Sequence, residues 1–257
     1  MSTLLEVIGL TRAFGGLVAV NDVSFSVAPA EIMGLIGPNG AGKTTVFNML
    51  GGALMPSAGR ITFDGADCTG MPAHHMARLG ITRTFQITSV FPGLSTLDNV
   101  RCAAYRTKRA GWRGAFLRSR VWRREEDEIA AEAHAILAFV ELDARADALA
   151  DALSYGEQRK LEIAIALAAA PRLLLLDEPA AGLNPDEGAR LITMIKRIQE
   201  RGIAVLLVEH HMRVVMGVCD RIVVIDHGLK IAEGAPSAVA NDPEVVRVYL
   251  GREPAGA

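Results

Sequence analysis

Along the first 65 residues, apolar positions come in short runs broken by turn residues. Residues 4–8 and 23–27 alternate or run apolar, and Ile61-Thr62-Phe63 precedes the turn Asp64-Gly65. Short strands are expected there. Residues 31–36 read as a buried strand that ends in glycine-rich sequence, and a helix is expected from Gly42 to about Leu50. Near the middle, an Ala-rich helical pattern runs to about Val140. Beyond it, residues 173–176, 203–208 and 222–225 are apolar runs of strand length, separated by helical stretches over 157–170 and 187–201. That alternation predicts an α/β core with a mostly parallel sheet.

Composition adds bounds. The chain has 257 residues, 50% of them hydrophobic, and a formal net charge of -2. Such a balance gives no global bias toward nucleic acid, and no nucleic-acid partner is expected. Cys68, Cys102 and Cys219 fit no CxxC or zinc pattern, which points to a reducing, cytosolic compartment. No signal peptide is expected at the start. The longest apolar runs fall far short of the ~20 residues that span a bilayer, so work at a membrane would require docking through partners.

One segment departs from the average. Residues 101–124 hold nine Lys/Arg, no acid and both tryptophans, Trp112 and Trp122, and are followed by Glu125-Glu126-Asp127-Glu128. Contact with anionic lipid or a transmembrane partner is one reading. A solvated helical face neutralised by the acids is the other.

The chemistry begins at Gly37-Pro38-Asn39-Gly40-Ala41-Gly42-Lys43-Thr44, which matches G-x-x-x-x-G-K-[ST] between an apolar strand and a helix. Glycines let the backbone wrap phosphate oxygens, and loop N–H groups with the helix N-terminus face the anion. Lys43 can reach the β- and γ-phosphates, and the Thr44 hydroxyl can ligate Mg²⁺. Thr45 completes the expected nucleotide-binding set. The matching acids are Asp177 and Glu178, at the end of four leucines. They emerge where open α/β sheets bind ligands. Asp177 suits the magnesium ion and Glu178 an attacking water.

Leu153-Ser154-Tyr155-Gly156-Glu157-Gln158 lies just ahead of the acidic strand and fits a capping box. It resembles the signature motif of ABC-type ATPases, and the order of phosphate loop, Gln86, signature, acidic strand and late histidine is similar to theirs. The resemblance implies ATP as ligand. It also implies a head-to-tail dimer, in which Ser154 and Gly156 of one subunit cover the nucleotide on the other. Gln86 looks like the glutamine that senses magnesium and water. His210, preferred over His211, looks like the switch histidine at the γ-phosphate. Phe14 looks like the aromatic that stacks on adenine, with a core phenylalanine as the alternative.

Tyr155, Glu157, Asn184 and Phe14 depart from the commonest forms. Together with the Glu209-His210-His211-Met212 and Tyr249-Leu250-Gly251 segments, they are similar to ATP-binding subunits of branched-chain (hydrophobic) amino-acid importers. Transmembrane permeases, a second ATP-binding subunit (identical or different), an indirectly acting substrate-binding protein, and a peripheral place on the cytoplasmic face of the cell membrane are then implied. The expected fold is a P-loop, RecA-like α/β core with an N-terminal antiparallel β portion. The core is expected over 1–90 and 159–257, an inserted helical subdomain bearing the signature over 91–158, and a flexible tail over 252–257.

Overall fold

The computed structural model describes residues 3–84, 90–105 and 120–250. It divides into two compact units, residues 1–83 with 172–257, and residues 84–171.

In the first unit, β1 (Leu5–Phe14) and β2 (Leu17–Val27) form a hairpin turned by Gly15 and Gly16. β1 also pairs with β4 (Ala58–Phe63), which pairs with the short β5 (Ala66–Asp67), giving the antiparallel order β2-β1-β4-β5. Leu5 and Val7 are buried while Glu6 and Ile8 are exposed, the period-two pattern of a sheet with one wet face. The second sheet has the order β10-β9-β3-β8-β7-β6. Its members are β3 (Ile32–Ile36), β6 (Ile81–Arg83), β7 (Leu173–Asp177), β8 (Ala204–Val208), β9 (Arg221–Asp226) and β10 (Leu229–Gly234). All its pairings are parallel except β9 with β10. Every residue of β3, β7 and β8 is buried, as strands covered on both faces require.

Helix α1 (Lys43–Leu50) sends Val46, Phe47 and Leu50 into the apolar cluster shared with Leu5, Val7 and Phe63 of the first sheet and Leu35, Leu173 and Leu206 of the second. The same unit holds α2 (Ala73–Leu79). The second unit is built on α3 (Thr96–Ala104), α4 (Arg120–Phe139) and α5 (Tyr155–Ala168). Asn99 is buried beneath a loop, exchanging hydrogen bonds with both backbone groups of Phe91. The first unit closes with α6 (Pro185–Glu200), α7 (Met212–Val218), α8 (Pro236–Ala240) and α9 (Pro243–Leu250).

The unit boundary falls at 171/172 where the sequence pointed to 158/159. The reason is α5: it is one uninterrupted helix packed on α3 and α4, so a cut at 158 would split a single hydrogen-bonded rod. The strand at 222–225 is β9, but its antiparallel partner β10 and the two short C-terminal helices were not expected. Residues 252–257 lie outside the described residues.

Two arginines of the basic segment are paired. Arg101 bonds Asp98 and Glu126, each at 3.0 Å, and Arg124 bonds Glu128 at 3.2 Å. Trp112 and the side chain of Trp122 lie outside the described residues.

Burial pushes the Cys68 thiol up to about 11 and the Cys219 thiol up to about 12, whereas Cys102 is exposed. A thiol reagent at pH 8 is expected to label Cys102 alone in the folded chain and all three after unfolding. Mass spectrometry of the labelled chain checks this, and equal rates at Cys68 would contradict it.

Candidate functional site

The loop from Gly37 to Gly42 connects β3 to α1. Gly42 takes φ 105° and supplies no side-chain cap, so the first-turn N–H groups of α1 are left for another acceptor. A Cβ on Gly42 would lie 2.6 Å from the Ala19 carbonyl oxygen, and one on Gly37 would lie 2.1 Å from that of Ile225. Only glycine lets this loop pass so close to β2 and β9. Beside it lies a depression of about 380 Å³, lined by Pro38, Asn39, Gly40, Ala41, Asp226, His227 and Val248.

Lys43 is buried and donates to the carbonyls of Gly37 at 2.7 Å and Pro38 at 2.9 Å. Burial lowers its ammonium pKa, while Glu178 and Asp177 pull the other way. Thr44 is exposed and Thr45 half-buried.

Asp177 is fully buried at the end of β7. Its Oδ2 accepts from Arg83 Nη2 at 2.7 Å, and its Oδ1 has no partner among the described residues. A buried, orphaned carboxylate oxygen suits a hard, oxygen-seeking divalent cation.

Glu178 leaves the strand in the left-handed region, φ 46°, anchored by its N–H to the Val208 carbonyl at 2.9 Å. A non-glycine residue held there costs about 1–2 kcal/mol. The turn lifts a half-buried carboxylate out of the sheet end.

His210 and His211 stack with centroids 4.2 Å apart, and Glu209 tells them apart. His211 Nδ1 is tied to Glu209 Oε2 at 3.1 Å, whereas His210 Nδ1 stands 3.7 Å from Glu178 Oε1. Sequence reasoning passed over Glu209. It is fully buried and accepts the backbone N–H of Ala180 at 2.7 Å, His210 at 3.0 Å and His211 at 3.1 Å. The signal was an acid closing an apolar strand. Glu209→Ala, by orphaning those donors, is expected to cost about 1–3 kcal/mol. A denaturant midpoint checks it; an unchanged midpoint would contradict the role.

Phe14 is 44% exposed with the Arg12 guanidinium 4.7 Å from its ring centroid, so it is not a core residue. Asn184 caps α6, its Oδ1 accepting from Asp186 and Glu187 N–H groups, with Glu187 returning a bond to the Asn184 N–H. With its oxygen so engaged, Asn184 offers a partner only its amide donors. A second residue missed from sequence is Tyr249 on α9. Burial pushes its hydroxyl up to about 12, with the Gly37 N–H working weakly the other way.

In the helical unit, Ser154 caps α5 by the expected capping box with Glu157. The Ser154 N–H, aided by Arg145, holds the Glu157 carboxyl below its usual range. Arg159 bonds the Tyr155 hydroxyl at 2.9 Å and Glu162 at 2.8 Å, so Tyr155 begins a polar ladder along the helix. Gln86 lies outside the described residues.

A sequence profile described as ABC transporter matches residues 20–181. The chain belongs to the ABC transporter ATP-binding family. As an ABC subunit it is an ATPase whose ligands are ATP and ADP. A second profile, described as branched-chain amino acid ATP-binding cassette transporter, matches residues 230–255 of the subunit. The subunit is 43% identical over 249 residues to the high-affinity branched-chain amino acid transport ATP-binding protein BraF of Pseudomonas aeruginosa, covering 96% of this chain and 98% of that one. It is 39% identical over 251 residues to the lipopolysaccharide export system ATP-binding protein LptB of Acidithiobacillus ferridurans, covering 98% of each. Among solved structures, the ADP conformation of MJ1267, an ATP-binding cassette of an ABC transporter, matches with TM-score 0.85 and 30% identity over 98% of this chain and 100% of that one. Among the described residues no helix of the subunit is long and apolar enough to cross a membrane.

Proposed function

We propose that this ABC subunit drives import of branched-chain amino acids by binding and hydrolysing Mg-ATP as one half of a dimer docked on transmembrane permeases. The observation that carries the cargo is the C-terminal match at 230–255, supported by the 43% identity to a branched-chain amino acid transport protein. The reading includes a peripheral place on the cytoplasmic face and a substrate-binding protein acting indirectly on the far side.

The residues divide the work as follows. The Gly37–Gly42 backbone, Asn39, Thr45 and Lys43 hold the phosphates, and Phe14 stacks on adenine. Thr44, Asp177 and Gln86 hold the magnesium ion, which supplies charge neutralisation at the phosphoryl oxygens when bound. Glu178 takes the proton of the attacking water, and His210 donates to the transferring phosphoryl group. Ser154 and Gly156 close over the nucleotide of the partner subunit with the uncapped donors of α5. Association with ATP and separation after hydrolysis give the two-state motion that permeases can follow.

The test is a tagged pull-down of the chain from its own membranes in mild detergent, followed by uptake assays on the recovered complex in vesicles. Polytopic membrane proteins, a second ATP-binding chain and ATP-dependent leucine uptake are expected. Complexes that move lipopolysaccharide and no amino acid would replace the cargo, in line with the 39% identity to an export protein. Recovery of soluble partners alone would end the transport reading and leave the ATPase.

A further inference from the structure

Arg83 closes β6 and is the last residue of the nucleotide-binding unit, three positions before Gln86. Its side chain is only 12% exposed. Nη2 donates to Asp177 Oδ2 at 2.7 Å, and Nη1 donates to Asn48 Oδ1 at 2.6 Å. Asn48 stands on α1, four residues after Thr44. One planar fork therefore joins the helix that follows the phosphate loop to the acidic strand β7. The Phe47 ring centroid lies 5.8 Å from the guanidinium.

Stability alone does not explain the pair. Desolvating two charges offsets most of their attraction, and an apolar pair of the same size would hold the core as well. What the pair does achieve is orientation. With Oδ2 pinned, the other Asp177 oxygen, Oδ1, is the one left over, buried and unpartnered. Lysine could supply the charge but would lack the two-pronged geometry that fixes Asp177 and Asn48 together.

We propose that Arg83 is a positioning residue for the divalent cation: by clamping Asp177 Oδ2 to Asn48 it presents Asp177 Oδ1 to the metal. The proposal rests on the reading of Asp177 as a magnesium partner. Its positive charge opposes a nearby cation, so the net benefit comes from order. Removing partners that orient metal-binding groups typically weakens metal affinity by about 10–100-fold.

The experiment titrates Mg²⁺ against binding of a fluorescent trinitrophenyl-ATP by the purified full chain, with folding checked by thermal melts. Arg83→Met is expected to raise the half-saturating Mg²⁺ concentration by about 10-fold or more, with binding of the analogue in EDTA unchanged. Arg83→Lys should fall between the parent and the Met variant. Asp177→Asn serves as the control: if it leaves the Mg²⁺ midpoint in place, the metal reading of Asp177 fails. If Asp177→Asn moves the midpoint but folded Arg83→Met does not, the positioning role is overturned. Should the Met variant not fold, the Lys variant decides alone, a parent-like midpoint overturning the role and a raised one upholding it. Weakened binding in EDTA with no change in the Mg²⁺ midpoint would also overturn it, because the effect would then be general to the pocket.

Discussion

Glu178→Gln is expected to cut ATP turnover by roughly 10²–10⁴-fold, the range of a positioned general base, while ATP binding survives and the ATP-bound dimer accumulates. The substitution keeps the shape of the side chain. It leaves untouched the backbone bond from the Glu178 N–H to Val208 and the left-handed turn that aims the group. What it removes is the capacity to take a proton beside His210. Phosphate release gives the turnover, and gel filtration with and without ATP gives the dimer. A variant that hydrolyses at the parental rate would sink the assignment of Glu178 as base.

Lys43→Ala is the second large effect, expected to weaken triphosphate binding by at least about 10²-fold through loss of charge-assisted hydrogen bonds. The Lys43 ammonium donates to the Gly37 and Pro38 carbonyls. Burial works against its charge, and the nearby carboxylates of Glu178 and Asp177 work for it. Equilibrium binding of ATP and ADP checks the expectation. ATP should suffer more than ADP, because the lysine reaches toward the terminal phosphate. Equal affinity in parent and variant would mean that the backbone loop alone holds the nucleotide.

The α/β core was legible because its signals are local. An all-apolar strand, a glycine loop and a helix follow one another within 20 residues, and four leucines followed by two acids can form little other than a doubly covered strand. The helix caps were legible for the same reason, since a capping box is written within four positions. What sequence could not supply were the partners made across the fold. Glu209 read as a strand-end acid because Ala180 is 29 positions away in the chain. Arg83 carried no signal of its own, since its bond to Asp177 spans 94 positions. Tyr249 was one letter of a C-terminal pattern until α9 brought it to Gly37. Asn184 read only as a departure from the commonest form, while its oxygen caps α6.

Glu209 also sets a timetable. One buried carboxylate accepts hydrogen bonds from a backbone N–H of the loop after Glu178 and from those of both histidines after β8. Those three amides are expected to open to solvent together rather than one by one, as a single exchange unit. A displacement of the segment around Ala180, which leads directly to Asn184, then reaches His210 without waiting for the rest of the sheet. Hydrogen exchange followed residue by residue would show whether the clock at Ala180 and the clock at His210 keep the same time.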